Sequence, residues 1–271
     1  MMAAPYRLMG VVNVTPDSFS DGGRFLDPAA AVAHGRKLIA EGADILDIGG
    51  ESTRPGAEPV GASEEMARVG PVLEGLAGAG AEISIDTSKA VVAGLALGAG
   101  ATMVNDVTAL RGDPAMAALI AESGCECCLM HMLGEPRTMQ REGGPRYGDV
   151  VDQVKDFLAE RLAFAVGQGI DERRILLDPG IGFGKTTEHN LQLLRRLGEL
   201  TELGRPIVIG TSRKRFLSAI ALAPRDEDER LGGTLATNVM AYERGASVFR
   251  VHDVGPVGDA LAAAAATLGA R

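Results

Sequence analysis

The chain has no tryptophan, only three tyrosines and seven phenylalanines among 271 residues, and a formal net charge of −9. So few rings cannot build a base-stacking surface, and the negative balance repels polyanions. Nucleic acid and anionic membranes are therefore excluded as principal partners, and an anionic small molecule would have to be met by a local basic cluster. No apolar run approaches the roughly 18 residues of a membrane-spanning helix. The opening Met-Met-Ala-Ala-Pro-Tyr-Arg lacks the apolar centre of a signal peptide. A soluble, cytoplasmic protein is expected. Cysteine is scarce too: Cys125, Cys127 and Cys128 fall within four residues, with no second ligand cluster at metal-site spacing. They read as core packing in a reducing compartment.

What is present is glycine, 36 of them, in a chain 46% hydrophobic and 23% charged. The stretch Ile175-Leu-Leu-Asp-Pro-Gly-Ile-Gly-Phe-Gly-Lys185 sets the pattern. Three apolar β-formers end on Asp178, a glycine-rich loop follows, and Leu191, Leu194, Leu197 and Leu200 then return at helical spacing. A carboxylate at the tip of a buried strand is costly unless it binds something, and close-set glycines let backbone N–H groups approach a ligand. An ordinary β-to-α turn is the bland alternative.

That junction recurs. Apolar runs at 7–12, 44–48, 82–85, 102–104, 127–130, 175–177, 206–209 and 247–251 each precede a helical pattern. The helical stretches run roughly over 28–42, 63–79, 88–99, 113–123, 148–169, 187–200, 229–244 and 255–269. Asp27-Pro28, Ser63, Ser88 and Asp113-Pro114 read as helix starts. Eight strand–helix units predict an α/β fold, a single-domain (β/α)8 TIM barrel over 1–271, with a doubly wound open sheet as the alternative. The strands deliver Asn13, Gly49-Gly-Glu-Ser-Thr53, Asp86, Asn105, His131, Asp178, Thr211-Ser212 and Arg250-Val-His252 at their C-terminal ends. In a barrel these meet at one mouth, where active sites lie.

Two charge groups stand out. Asp86, Asn105 and Asp178 suit the paired N–H donors of a flat heterocycle, or a divalent metal. Arg213, Lys214 and Arg215 follow what reads as a short helix start at Thr211-Ser212, where cations oppose the dipole unless an anion binds. With Arg250 and His252 they form a candidate phosphate or diphosphate site, a solvated face being the alternative for Arg213 and Arg215. His34 and His189 read as structural, and the role of His131 stays open. The loops Asn13–Leu26 and Gly49–Ala62 are long and rich in Gly, Pro, Ser and Thr, which predicts mobile lids.

Met9-Gly-Val-Val-Asn-Val-Thr-Pro-Asp-Ser-Phe-Ser-Asp-Gly-Gly23, Asp47-Ile-Gly-Gly-Glu-Ser-Thr-Arg-Pro-Gly56 and Asp178-Pro-Gly-Ile-Gly-Phe-Gly-Lys185 resemble signatures of the dihydropteroate synthase family of pterin-binding barrels. Ser212-Arg-Lys214, Gly233-Thr-Leu-Ala236 and Arg250-Val-His-Asp-Val254 extend the resemblance to most of the chain. It implies a transferase joining 6-hydroxymethyl-7,8-dihydropterin diphosphate to p-aminobenzoate, with Mg2+ as cofactor, sulfonamides as competitors and a homodimer as the assembly. By resemblance, Asp86, Asn105, Asp178 and Lys214 hold the pterin, Arg250 stacks on it, and Thr53, Arg250 and His252 face the diphosphate. Phe19, Thr53, Arg54, Pro55, Phe183 and Ser212 surround p-aminobenzoate, and Asn13 contributes to the metal site. Lys214, Arg250, His252 and Asp86 are the catalytic candidates. Leu133 and Ser218 depart from the family pattern but carry no implied role. Two other readings remain: a methyltetrahydrofolate methyltransferase, which shares the acidic floor but not the Ser-Arg-Lys and Arg-Val-His segments, and a silent paralogue acting as a binding protein.

Overall fold

A computed structural model describes residues 6–15, 27–53, 56–134, 139 and 144–269. The described residues form eight parallel strands: β1 (Arg7–Asn13), β2 (Ile45–Gly49), β3 (Glu82–Asp86), β4 (Met103–Asp106), β5 (Glu126–Met130), β6 (Ile175–Asp178), β7 (Val208–Ile209) and β8 (Val248–Val251). Their order is β6-β5-β4-β3-β2-β1-β8-β7, and the bridge Leu177–Ile207 joins the two ends. The sheet therefore closes into a barrel, and the open-sheet alternative falls. Both faces of each strand are covered, which is why the strand sequences read as continuous apolar runs rather than as alternation.

The helices α1 (Pro28–Ala40), α2 (Ala62–Leu76), α3 (Ala90–Gly98), α4 (Met116–Ser123), α5 (Val150–Gly167), α6 (Thr187–Arg195), α7 (Gly198–Thr201), α8 (Arg215–Ala219), α9 (Leu231–Glu243) and α10 (Val254–Gly269) follow the strands. Asp27 caps α1 as expected, accepting from Ala29 N with Pro28 in the first turn. Three expected caps are corrected: α4 starts at Met116 with Ala115 at its cap, and Asp113 Oδ1 accepts from Ala115 N just ahead of the helix. Helix α2 starts one residue before Ser63, on Gly61, and α3 starts on Lys89 rather than Ser88. The donor Ala90 N is met instead by Asp113 Oδ2 at 2.9 Å, from the loop before α4. The single helix expected over 187–200 breaks at Arg196, whose guanidinium turns to Asp149, Asp152 and Glu199.

The barrel interior is layered. Met9, Ile45, Met103, Cys128, Leu176, Val208 and Val248 form one apolar cluster, a residue from each of seven strands. Successive side chains on a strand alternate faces, so the residue two further on points the same way. Those residues are Val11, Asp47, Asn105, Met130, Asp178, Gly210 and Arg250. The apolar layer thus closes the barrel floor, and the next layer up carries the polar side chains Asp47, Asn105, Asp178 and Arg250 beside Val11 and Met130.

Candidate active site

The polar layer opens into a cleft of about 360 Å3 including its mouth, lined by Thr53, Asp86, Asn105, Asp178, Phe183, Lys214 and Arg250, with Val107, Met130, Gly180, Ile181 and Gly210. Strand register explains the grouping: Gly49 pairs with Asp86, and Asp86 with Asn105, so these ends lie in one row.

Arg250 sits at the centre of the floor. Its Nε donates to Asp47 Oδ2 at 2.6 Å and its Nη2 to Asp86 Oδ2 at 2.8 Å. Asp47 in turn accepts from Ser84 Oγ at 2.7 Å and from Asn105 Nδ2 at 3.0 Å. This arrangement fixes the amide of Asn105: with Nδ2 on Asp47, its carbonyl oxygen is the atom left for the cleft. Burial pushes the Asp86 carboxyl up to about 7. The pull of Arg250 in the opposite direction does not cancel this, because Asp47 adds its own repulsion. Burial also works against the Arg250 charge, but Asp47 and Asp86 outweigh it and hold the guanidinium firmly protonated.

The loop after β6 does not work as its glycines suggest. Asp178 Oδ1 accepts from Gly180 N at 2.7 Å, and Gly182 N donates to Asn190 Oδ1 at 2.8 Å. Those N–H groups are therefore spent within the protein, which corrects the expectation of ligand-facing amides. The glycines are needed for close packing. At Gly180 φ is +66° and a Cβ would lie 1.9 Å from the His131 carbonyl oxygen; at Gly184 φ is +60° and the corresponding distance to Leu133 O is 2.3 Å. Burial raises Asp178 above its ordinary value, opposed by the Gly180 N–H and by Lys214. Lys185 is 3% exposed, and its Nζ reaches His131 Nδ1 at 2.9 Å and the Phe183 carbonyl at 3.1 Å. Burial brings Lys185 down to about 7, and burial together with Lys185 brings His131 down to about 3. His131 is thus a neutral acceptor, with its ring edge-on to Phe157 at 4.8 Å.

The basic run after β7 divides three ways, which corrects its reading as one anion-binding cluster. Arg213 turns to Asp253 at 2.7 Å and Asp228 at 2.8 Å. Arg215 is exposed. Only Lys214 enters the cleft, where Nζ donates to Ile181 O at 2.7 Å and stands 4.2 Å from the centre of the Phe183 ring. The divergence begins at Arg213, whose φ of +58° is unfavourable for a side chain. Thr234 Oγ1 accepts from Arg213 N at 3.2 Å and Arg230 donates to its carbonyl at 2.8 Å, so α9 and the residues before it hold the turn. The helix start expected at Thr211-Ser212 is accordingly postponed to Arg215, with Lys214 at the cap. Burial lowers Lys214 to about 8, and Asp178 limits the drop. Ser212 faces His252: its Oγ accepts from His252 N at 3.2 Å and lies 3.0 Å from Nδ1, which suits a ring with Nε2 turned outward.

The family model for pterin-binding enzymes matches residues 9–252. The chain is 47% identical to dihydropteroate synthase of Mycobacterium leprae over 268 residues, covering 96% of this chain and 93% of that one. A structure of Xanthomonas albilineans dihydropteroate synthase with 4-aminobenzoic acid superposes with a TM-score of 0.91 at 47% identity, covering 98% of this chain and 94% of that one. The same bacterium's enzyme in complex with 7,8-dihydropteroate gives 0.87 at 44%, covering 98% and 95%. The chain belongs to the pterin-binding enzymes, among the dihydropteroate synthases.

For a dihydropteroate synthase, several expected residues stand apart from the floor. Ser212 and His252 pair above it, and Asn13, in the row of Gly49, Asp86 and Asn105, does not line the cleft. Phe19, Arg54 and Pro55 lie outside the described residues, as does most of the first long loop. Among the described residues no group of three or more His, Cys, Asp or Glu gathers to hold a metal. One neutral amide oxygen at Asn13 suits Mg2+ where substrate phosphate oxygens and water fill the remaining positions, and that donor set fits an ion brought in with a diphosphate. Cys125, Cys127 and Cys128 are buried, unpaired thiols, and burial raises all three. Asp47 and Lys185 were missed. For Asp47 a signal existed: a charge at an inward position of a wholly apolar strand. Lys185 reads in sequence as a solvated lysine before a helix, and nothing local marks it as buried.

Proposed function

We propose that the cleft works as follows in this dihydropteroate synthase, which condenses 6-hydroxymethyl-7,8-dihydropterin diphosphate with p-aminobenzoate to give 7,8-dihydropteroate and pyrophosphate. Asp86, Asp178 and the Asn105 carbonyl accept from the ring N–H groups of the pterin, and Lys214 donates to a ring acceptor. The observation that carries this reading is the floor itself: carboxylates, one amide oxygen and one lysine ammonium converge on a narrow cleft walled by Val107, Met130 and Ile181. Arg250 borders the pterin, and Thr53, Arg250 and His252 face the diphosphate.

The bond between the methylene carbon and the diphosphate oxygen breaks, and its electron pair leaves with the diphosphate. The positive charge left on carbon spreads into the pterin, where Asp86 and Asp178 favour it. The aniline nitrogen of p-aminobenzoate forms the new C–N bond and gives up a proton. Phe19, Thr53, Arg54, Pro55, Phe183 and Ser212 are proposed to surround that second substrate. Bound through Asn13 and diphosphate oxygens, Mg2+ would neutralise leaving-group charge. Arg250 and His252 add donors to the same end, and no covalent nucleophile is required. We further propose a single-domain enzyme working in the cytoplasm as a homodimer. No described helix is long and apolar enough to cross a membrane, and three unpaired cysteines suit a reducing compartment.

The direct test incubates the protein with the dihydropterin diphosphate, Mg2+ and p-aminobenzoate and follows pyrophosphate release and dihydropteroate formation. Binding of the pterin without turnover would support a silent paralogue, and methyl transfer from methyltetrahydrofolate would support the methyltransferase reading.

A further inference from the structure

Asp47 is completely buried and does not line the cleft, yet two residues that do are held by it. Its Oδ2 accepts from both Arg250 Nε at 2.6 Å and Asn105 Nδ2 at 3.0 Å, while Oδ1 is anchored by Ser84 Oγ at 2.7 Å. The anchor is built into the sheet, since Asp47 and Ser84 are register partners on β2 and β3. Arg250 also reaches Asp86 Oδ2 at 2.8 Å. In the reading given above, that same carboxylate must accept from the pterin ring. A ring donor arriving at Asp86 therefore competes with the guanidinium already there.

We propose that Asp47 is a positioning residue for pterin binding: it presets Arg250 and Asn105 and keeps the Arg250 charge matched while Asp86 turns to the ligand. The proposal rests on the assignment of Asp86 to the pterin. With Asp47 in place, Arg250 has a second carboxylate on a different nitrogen, so Asp86 can share or release it without stranding a charge. Without Asp47, Arg250 would depend on Asp86 alone, and a half-buried guanidinium stripped of its only carboxylate is unfavourable. Ligand binding would then have to break that pair. The Asn105 amide would also lose the acceptor that fixes which end faces the cleft.

The test is a double-mutant cycle read by calorimetry, with 6-hydroxymethylpterin as the probe, so that no metal or diphosphate is involved. Asp47→Asn should weaken the pterin roughly 10- to 100-fold, the scale of one lost charge-assisted hydrogen bond. In an Arg250→Met background the same change should cost at least about threefold less, because its main intermediary is gone. In steady state, KM for the pterin diphosphate should rise while KM for p-aminobenzoate stays put. Equal fold-changes in both backgrounds would mean that Asp47 acts independently of Arg250, and that result overturns the proposal. Should Asp47→Asn fail to fold, Ser84→Ala loosens Asp47 without removing its charge. It should weaken the pterin several-fold, and by less in the Arg250→Met background, and parent-like affinity would refute the idea. Asp86→Asn is measured alongside. If it binds like the parent, the pocket reading fails and this inference with it; if it loses affinity while Asp47→Asn does not, the inference fails alone.

Discussion

Asp86→Asn should separate binding from stability. The substitution keeps the shape of a side chain that accepts from Arg250 Nη2 at 2.8 Å but removes its charge. A pterin N–H pair meeting an amide instead of a carboxylate loses one charge-assisted hydrogen bond and faces an N–H of the amide. The expected loss is about 1.5–3 kcal/mol, roughly 10- to 150-fold in affinity. Stability should move the other way or stay put. The folded carboxyl lies above its ordinary value, at about 7. Its charged form is therefore disfavoured by the fold, and this group's contribution becomes less favourable as pH rises from about 4 to about 7. An uncharged amide avoids that cost, and Arg250 keeps Asp47 as a partner. At pH 8 the melting temperature should match or exceed the parent's, while calorimetric titration with a pterin shows the weakened binding. A parent-like affinity, or a melting temperature several degrees lower with affinity intact, would refute the reasoning and make Asp86 a structural residue.

The same carboxyl predicts a pH profile: below about 7 the ligand must displace a proton from Asp86, so pterin affinity should fall as pH drops, and Asp86→Asn should flatten the curve; an unchanged slope in the variant would assign the dependence elsewhere. Lys214→Ala should sharply reduce turnover without unfolding the barrel, since the lysine reaches into the cleft from a turn held by other residues, and a normal rate would remove Lys214 from the site. Gly180→Ala should lower the melting temperature by several degrees, because φ of +66° alone costs roughly 1–2 kcal/mol and the new Cβ meets the His131 carbonyl; unchanged melting would mean the loop yields. Titrated alone, p-aminobenzoate should bind weakly and tighten about 5- to 150-fold with pyrophosphate, Mg2+ and a pterin present, and equal affinities in both titrations would sink the idea that the two long loops complete its pocket.

Much of the architecture follows from local pattern. Each strand is a short apolar run, each helix an amphipathic or alanine-rich stretch, and eight alternations of the two leave a parallel sheet few ways to close. Asp86, Asn105 and Asp178 were legible because a polar residue at the tip of a buried strand is anomalous wherever it occurs. Period-two alternation then carries them to the same interior layer, above the apolar cluster of Met103, Cys128 and Leu176. By contrast, Ser63 and Ser88 look like caps in isolation, and only the packed loops show that Gly61, Lys89 and Asp113 stand at those helix ends.

The sequence by itself therefore determined the barrel, its mouth and the residue types gathered there. Tertiary structure alone decided how those residues pair. Arg213, Lys214 and Arg215 are three adjacent cations, and one left-handed turn sends them to an ion-pair site, the cleft and solvent respectively. Lys185 is buried against His131, which lies on a different loop 54 positions away. Asp47 and Arg250 are 203 residues apart and meet because β1 pairs with both β2 and β8. The physical reason is range. Side-chain periodicity records which face a residue occupies, a property of its own strand or helix. The partner across the barrel is set by closure and register, and those belong to the whole chain.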